Sequence, residues 1–93
     1  MIIATSVKNR ILVTIEDSRA IDFRLERKAY DDESILVYTN NGFCIPDEEN
    51  VPVGVNGDIL DNFNIEADTL YCYRYVDFEA ENPTDKDYVY SNW

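Results

Sequence analysis

Residues 70–78 read LYCYRYVDF, and this stretch decides the fold class. A pattern that repeats every second residue is typical of a β-strand, because successive side chains of an extended chain point to opposite faces. Aromatic and β-branched residues also favour that conformation. We therefore predict a strand with two distinct faces. One carries Leu70, Cys72, Arg74, Val76 and Phe78, and the other carries Tyr71, Tyr73, Tyr75 and Asp77.

Two hairpins are predicted earlier in the chain. Ile11–Ile15 (ILVTI) is apolar and β-branched, and Ile2–Val7 precedes it across a polar turn. Ser34–Thr39 (SILVYT) runs into Phe43–Ile45 through Asn41–Gly42. Asn-Gly between two apolar runs is a strong hairpin signal, because both residues tolerate a positive φ. Both pairs should therefore form antiparallel strands.

The remaining segments are less regular. In residues 18–30, Ile21, Phe23 and Leu25 alternate like a strand, which we favour through Leu25; the alternative is a helix capped by Ser18. Residues 57–63 (GDILDNF) are interpreted as one helical turn. Loops are predicted at residues 47–56 and 79–87, because each contains proline. Residues 88–90 should form a short last strand, or an arm that ends in Trp93.

These elements predict a mainly β fold in one domain, residues 1–93. The sheet should be antiparallel, either curled or barrel-like, with at most one or two short helices, and an α+β fold is the alternative. At 93 residues and 10.8 kDa the chain has room for one core.

The charge is strongly asymmetric. The chain has 19 acids and 8 bases, for a net charge of -11, and residues 31–93 hold fifteen of the acids against Arg74 and Lys86 alone. Such a surface repels DNA, RNA and anionic membranes. We therefore expect no direct binding of nucleic acid and no membrane association, and a partner with a basic surface.

The sequence has no obvious catalytic chemistry. It contains no histidine, no phosphate-binding glycine loop and no CxxC pair. We expect no enzymatic activity, no metal and no cofactor. Cys44 and Cys72 are expected to be free thiols in a reducing compartment, and with no basic region before the apolar start of the chain, the cytoplasm is the expected location, or the host cytoplasm if the protein is viral.

Acids close to the predicted strand are the candidate binding residues. On a continued strand, every second side chain would lie on one face about 6.7 Å apart, roughly two phosphate rises of a DNA strand. A second acidic cluster lies in the predicted loop, and the tyrosines of the strand are either sheet-covering residues or anchors of a partner-binding patch. The candidates are Asp77, Glu79, Glu81, Asp85, Asp87, Asp47, Glu48, Glu49, Tyr71, Tyr73 and Tyr75.

At the level of class alone, a short and very acidic protein of this kind resembles the nucleic-acid mimics that bacteriophages use against restriction nucleases and CRISPR effectors. That resemblance implies a stoichiometric inhibitor that occupies a basic groove. The alternative is a structural or adaptor module, which binds through a tyrosine-rich strand or a sheet edge while the acids stay passive. An inhibitor requires acids from distant positions to converge on one face, and an adaptor does not.

Overall fold

A computed structural model describes residues 1–77 and 83–91 of the chain, and at residues 83–85 and 90 the description covers the backbone alone. These residues form eight strands and one short 3₁₀ helix, Ser18–Asp22. The strands are β1 (Ile2–Val7), β2 (Arg10–Ile15), β3 (Phe23–Ala29), β4 (Leu36–Thr39), β5 (Gly42–Cys44), β6 (Gly57–Asp61), β7 (Leu70–Asp77) and β8 (Pro83–Tyr90).

The strands form two antiparallel sheets. A three-stranded sheet has the order β1-β2-β6, and a five-stranded sheet has the order β5-β4-β3-β7-β8. The mainly β prediction is confirmed. The barrel-like variant is wrong, because the strands described here make two separate sheets and no closed barrel.

The core lies between the inner faces of the two sheets. Tyr71, Tyr73 and Tyr75 of β7 are buried there, together with Ile11 and Val13 of β2. The alternation predicted for β7 is therefore present, and its tyrosine face is the inner one. The opposite side of the five-stranded sheet is called its outer face below.

Both predicted hairpins are present. β1 and β2 pair from Ile2↔Ile15 to Val7↔Arg10, with Lys8 in the turn at a φ of 50°. β4 and β5 pair with Thr39 opposite Gly42. Gly42 has a φ of 89°, a left-handed conformation that glycine adopts without steric cost, whereas Asn41 does not have a positive φ; the glycine alone accounts for the signal here.

The prediction of a strand through residues 18–25 is correct only from Phe23 onward. Before it, the chain forms the 3₁₀ helix, and Asp17 rather than Ser18 is its N-cap. The Asp17 carboxylate accepts the Arg19 backbone N–H at 2.9 Å. This local bond competes with the extended conformation, and Ile21, which is 63% exposed, contributes no burial in its favour.

Residues 57–63 do not form the predicted helical turn. Residues 57–61 are β6, whose register runs from Ile15↔Gly57 to Ile11↔Asp61 on the free side of β2. An isolated helix of five residues has too little stability to compete with the backbone hydrogen bonds that this segment makes to β2.

The predicted loop at residues 79–87 is also wrong from residue 83 onward, since β8 begins at Pro83. Proline is tolerated as the first residue of a strand, and β8 lies at the edge of its sheet, where one side needs no N–H donor. Residues 79–82 lie outside the part of the chain that is described.

Candidate functional site

The acids predicted as binding residues around β7 and β8 are not grouped on one exposed surface in the described part of the chain. Asp77 and Asp87 are half-buried. Asp87 lies opposite Tyr73, on the inner face, and its Oδ2 accepts the backbone N–H of Ala4 in β1 at 2.6 Å. The Asp87 carboxylate therefore joins the two sheets, and its role as a partner-binding anchor stays a prediction. Glu79 and Glu81 lie outside the described residues, and Asp85 is described by its backbone alone.

The second predicted cluster, residues 47–49, is exposed as expected for a loop. The Asp47 carboxylate accepts the backbone N–H groups of Glu49 at 2.8 Å and Asn50 at 2.7 Å. It therefore fixes the loop conformation, while the side chains of Glu48 and Glu49 are turned to solvent. Binding of a partner by this cluster stays a prediction.

The three tyrosines of β7 are core residues, which agrees with the alternative that they cover a sheet face. Tyr73 is 0% exposed, and Tyr71 and Tyr75 are 4% and 3% exposed. Each hydroxyl is bonded inside the protein: Tyr73 donates to Asp61 at 2.7 Å, Tyr75 donates to Asp17 at 3.0 Å, and Tyr71 accepts from the Glu66 N–H at 2.8 Å. A ring buried in this way offers a partner no surface.

A different set of acids converges at one end of the five-stranded sheet. Asp31 and Asp32 follow β3, and Asp68 precedes β7; together they line a depression of about 270 Å³. The Tyr30 N–H bond to the Leu70 carbonyl, at 2.8 Å, brings the two segments side by side. We call these three residues the acidic end of the sheet.

The Asp32 carboxylate of the acidic end is held by a hydrogen bond to the backbone. Its Oδ1 accepts the backbone N–H of Ser34 at 2.8 Å. That bond lowers the pKa of Asp32, so the carboxylate is ionised at neutral pH. Asp68 has a φ of 58°, which aspartate and asparagine tolerate better than most residues.

A buried ion pair connects the two sheets. The Arg27 side chain on β3 donates to both oxygens of Asp61 on β6, at 3.0 and 2.9 Å. The same carboxylate accepts the Tyr73 hydroxyl, and burial together with this negative neighbour raises the pKa of Tyr73. All lone-pair directions of Asp61 are in use, since it also accepts the Phe63 N–H at 3.0 Å. This cluster is suited to holding the two sheets together.

A cleft of about 510 Å³ lies on the outer face of the five-stranded sheet. Its wall includes Glu26, which is 3% exposed and accepts Nε–H bonds from Arg24 at 2.7 Å and Arg74 at 2.8 Å. Arg74 thus pairs with an acid on the face opposite the tyrosines. The cleft is also lined by Lys28, Tyr30, Glu33, Cys72, Lys86 and Tyr88.

Sequence reasoning missed both the acidic end and the cleft. The residues of each come from strands whose pairing is not evident from the sequence, since three other strands, β4, β5 and β6, lie between β3 and β7 in the chain. The one available signal was Arg74 among apolar residues, which indicated either an acidic partner or an incompletely buried face.

Comparison with protein-family models, with curated proteins and with solved structures finds no match for this chain. Among the described residues, no helix is long and apolar enough to cross a lipid bilayer.

Proposed function

We propose that the protein is a stoichiometric inhibitor that binds the basic groove of a nucleic-acid-binding protein or complex, with carboxylates in the positions of phosphates. Restriction nucleases and CRISPR effectors are the partner class that we favour. The observation that carries the proposal is the acidic end, where Asp31 and Asp32 meet Asp68 from a distant part of the chain.

The distribution of the arginines adds support. Four of them, Arg19, Arg24, Arg27 and Arg74, form ion pairs with Asp17, Glu26 and Asp61 in the part of the chain that the structure describes. The whole chain has 19 acids and 8 bases, so its net charge is -11. Solubility requires a net charge of only about 2–8 in a small domain, so the excess favours a role in binding.

Electrostatic attraction then accounts for recognition. A groove that binds nucleic acid presents lysine and arginine, and an acidic protein reaches it quickly and with a strong dependence on salt. Asp31 and Asp32 are adjacent in a connection, so they form a compact patch of negative charge beside Asp68. Glu48 and Glu49 would supply a second contact.

The test begins with a pull-down from host lysate at low and at high salt, which identifies the partner. The affinity of that partner is then measured for the variant D31N/D32N/D68N. Asparagine keeps an oxygen acceptor at Asp32 and tolerates the positive φ at Asp68, so the fold should be unchanged. We expect an affinity loss of about 100-fold, since close charge pairs across an interface contribute more than about 1 kcal/mol each.

The matched control is E16Q/D22N/D58N, which removes the same charge from exposed acids outside the acidic end. It should lower the affinity by less than about threefold, through the long-range field alone. Equal losses in the two variants would show that net charge, and not the acidic end, governs binding. An unchanged affinity in D31N/D32N/D68N would refute the assignment, and the lysine variant D77K/E79K/E81K tests the C-terminal candidates in the same assay.

A further inference from the structure

The cleft on the outer face is a basic site on an acidic protein. Lys28, Arg74 and Lys86 line it from three neighbouring strands, β3, β7 and β8. The register explains the grouping, because Arg74 lies opposite Lys86, and Lys28 and Tyr88 lie opposite Cys72 from its two sides. Its volume of about 510 Å³ is within the range of about 300–1,000 Å³ that is usual for small-molecule sites.

The cleft is positively charged even though two acids line it. The carboxylate of Glu26 is occupied by the Nε–H groups of Arg24 and Arg74, at 2.7 and 2.8 Å. Glu26 therefore holds the Arg74 side chain in place while the terminal amino groups of that guanidinium remain available as donors. Glu33 is exposed at the rim and is the second acid among the described lining residues. The Asp32 carboxylate, whose pKa is lowered mainly by its backbone hydrogen bond, lies close enough to Lys28 for that charge to lower the pKa further.

Two tyrosines add an aromatic wall. Tyr30 and Tyr88 are 57% and 47% exposed, and their rings meet edge to face with centroids 6.2 Å apart. The Lys86 ammonium lies 5.6 Å from the centre of the Tyr88 ring, a cation–π distance that keeps the charge next to the aromatic surface. Exposed rings of this kind stack on flat aromatic ligands, and base stacking on tyrosine is a common mode of recognition.

We propose that this cleft binds a mononucleotide, with the phosphate against Lys28, Arg74 and Lys86 and the base against Tyr30 and Tyr88. A phosphate monoester carries about 1.5–2 negative charges at pH 7 and accepts several charge-assisted hydrogen bonds, which suits a cluster of three cationic side chains. The Lys28 ammonium donates to the Tyr30 and Asp32 carbonyls, both at 3.3 Å, and has a third N–H for the phosphate. A polynucleotide is a poorer ligand, because its further phosphates would lie over a protein of net charge -11. The cleft and the acidic end are neighbours, because Tyr30 lines both and Lys28 donates to the Asp32 carbonyl at 3.3 Å, but the two proposals use different charged side chains.

The experiment is calorimetric titration of the full chain with adenosine 5′-monophosphate, with adenosine, inorganic phosphate and single-stranded oligoadenylate as separate arms. We expect saturable binding of the monophosphate with a micromolar to millimolar Kd. Adenosine and phosphate should each bind about tenfold more weakly or not at all, because each makes half of the contacts. Binding of the oligonucleotide more tightly than the monophosphate would overturn the proposal, and so would equal affinity for inorganic phosphate.

Variants locate the site. K28Q/K86Q should weaken binding of the monophosphate by about tenfold or more, since two charge-assisted contacts are lost. The matched control K8Q/R10Q removes the same charge from the β1–β2 hairpin and should change the Kd by less than about twofold. Equal effects of the two variants, or no effect of K28Q/K86Q, would refute the assignment.

Cys72 supplies a second readout within the same cleft. Its thiol is buried and free, and burial raises its pKa, so alkylation at neutral pH should be slow. In a Cys44→Ala background, saturating monophosphate should slow alkylation of Cys72 by about threefold or more, because the ligand covers the route to the sulfur. An unchanged alkylation rate at saturation would place the ligand elsewhere and contradict the proposal.

Discussion

The buried pair Arg27–Asp61 offers the sharpest test of how the two sheets are joined. Arg27 is 5% exposed and Asp61 is 2% exposed, and the guanidinium carbon lies 5.2 Å from the centre of the Tyr71 ring and 5.3 Å from that of Phe43. Replacing either partner alone leaves the other as a buried charge without its ion-pair partner. We therefore expect Arg27→Met and Asp61→Asn each to lower the free energy of unfolding by about 3–5 kcal/mol.

That loss is a large part of the total stability. A chain of 93 residues is expected to unfold with about 5–14 kcal/mol, at 0.05–0.15 kcal/mol per residue. With a urea m-value of about 1.5 kcal/mol/M, a loss of 4 kcal/mol lowers the unfolding midpoint by about 2.7 M. The double variant R27M/D61N should lose less free energy of unfolding than the sum of the two single losses, because neither charge is then left alone. We expect the difference from that sum to be about 2–3 kcal/mol.

The assay is equilibrium urea unfolding followed by near-ultraviolet circular dichroism, with the m-value checked for each variant. Arg19→Met is the control, because the Arg19 side chain is 66% exposed in its ion pair with Asp17, and an exposed pair contributes about 0–1 kcal/mol. Strictly additive losses in the double variant, or a midpoint shift in either single variant no larger than in the control, would refute the reasoning.

Three further predictions concern the backbone and the pH dependence. Gly54→Ala should destabilise the fold by about 1–3 kcal/mol or more in urea unfolding, because a Cβ at residue 54 would lie 2.1 Å from the Ile21 carbonyl oxygen; wild-type stability would contradict this close approach. Lys8→Gly should stabilise it by up to about 1 kcal/mol, since Lys8 has a φ of 50°, and a lower midpoint would argue against strain there. The raised pKa of Tyr73 means that this hydroxyl stays protonated in the folded state while it ionises in the unfolded chain; its contribution is complete below pH 10 and is lost as pH rises above that value, by about 1.4 kcal/mol per pH unit. Tyr73→Phe should remove that part of the slope between pH 10 and 11 in stability measurements, and an unchanged slope would show that the hydroxyl ionises equally in both states.

The sequence was sufficient for the elements whose signals are local. The alternation of β7 and the Asn-Gly turn before β5 depend on residues close together in the chain, and both are present in the structure. The prediction of a helical turn at residues 57–63 was wrong because the conformation of β6 depends on a distant strand. Residues 57–61 have no strong pattern of their own, and they are extended because the edge of β2 is available for pairing.

The candidate sites are formed by strands that are far apart in the sequence, and they were therefore less predictable. The tyrosine stripe was correctly identified as one face of a strand, but its hydroxyls find partners in Asp61 and Asp17, from other elements, and this allows full burial. Composition alone could not show which acids are occupied inside the protein. The same limit applied to the cleft, whose bases are far apart in sequence and adjacent only through the β3–β7–β8 register.

The positions of the tyrosines and acids also bear on the choice between an inhibitor and an adaptor. An adaptor that binds through the tyrosines of β7 is disfavoured, because these side chains are buried. An adaptor would have to use another surface, and the three-stranded sheet has exposed apolar residues at Ile3 and Leu60, which are 43% and 48% exposed. Binding through such residues depends little on salt, whereas binding through the acidic end weakens as salt rises. A partner that is retained at high salt, and that is lost on Ile3→Ser/Leu60→Ser but not on D31N/D32N/D68N, would therefore establish the adaptor and exclude the inhibitor.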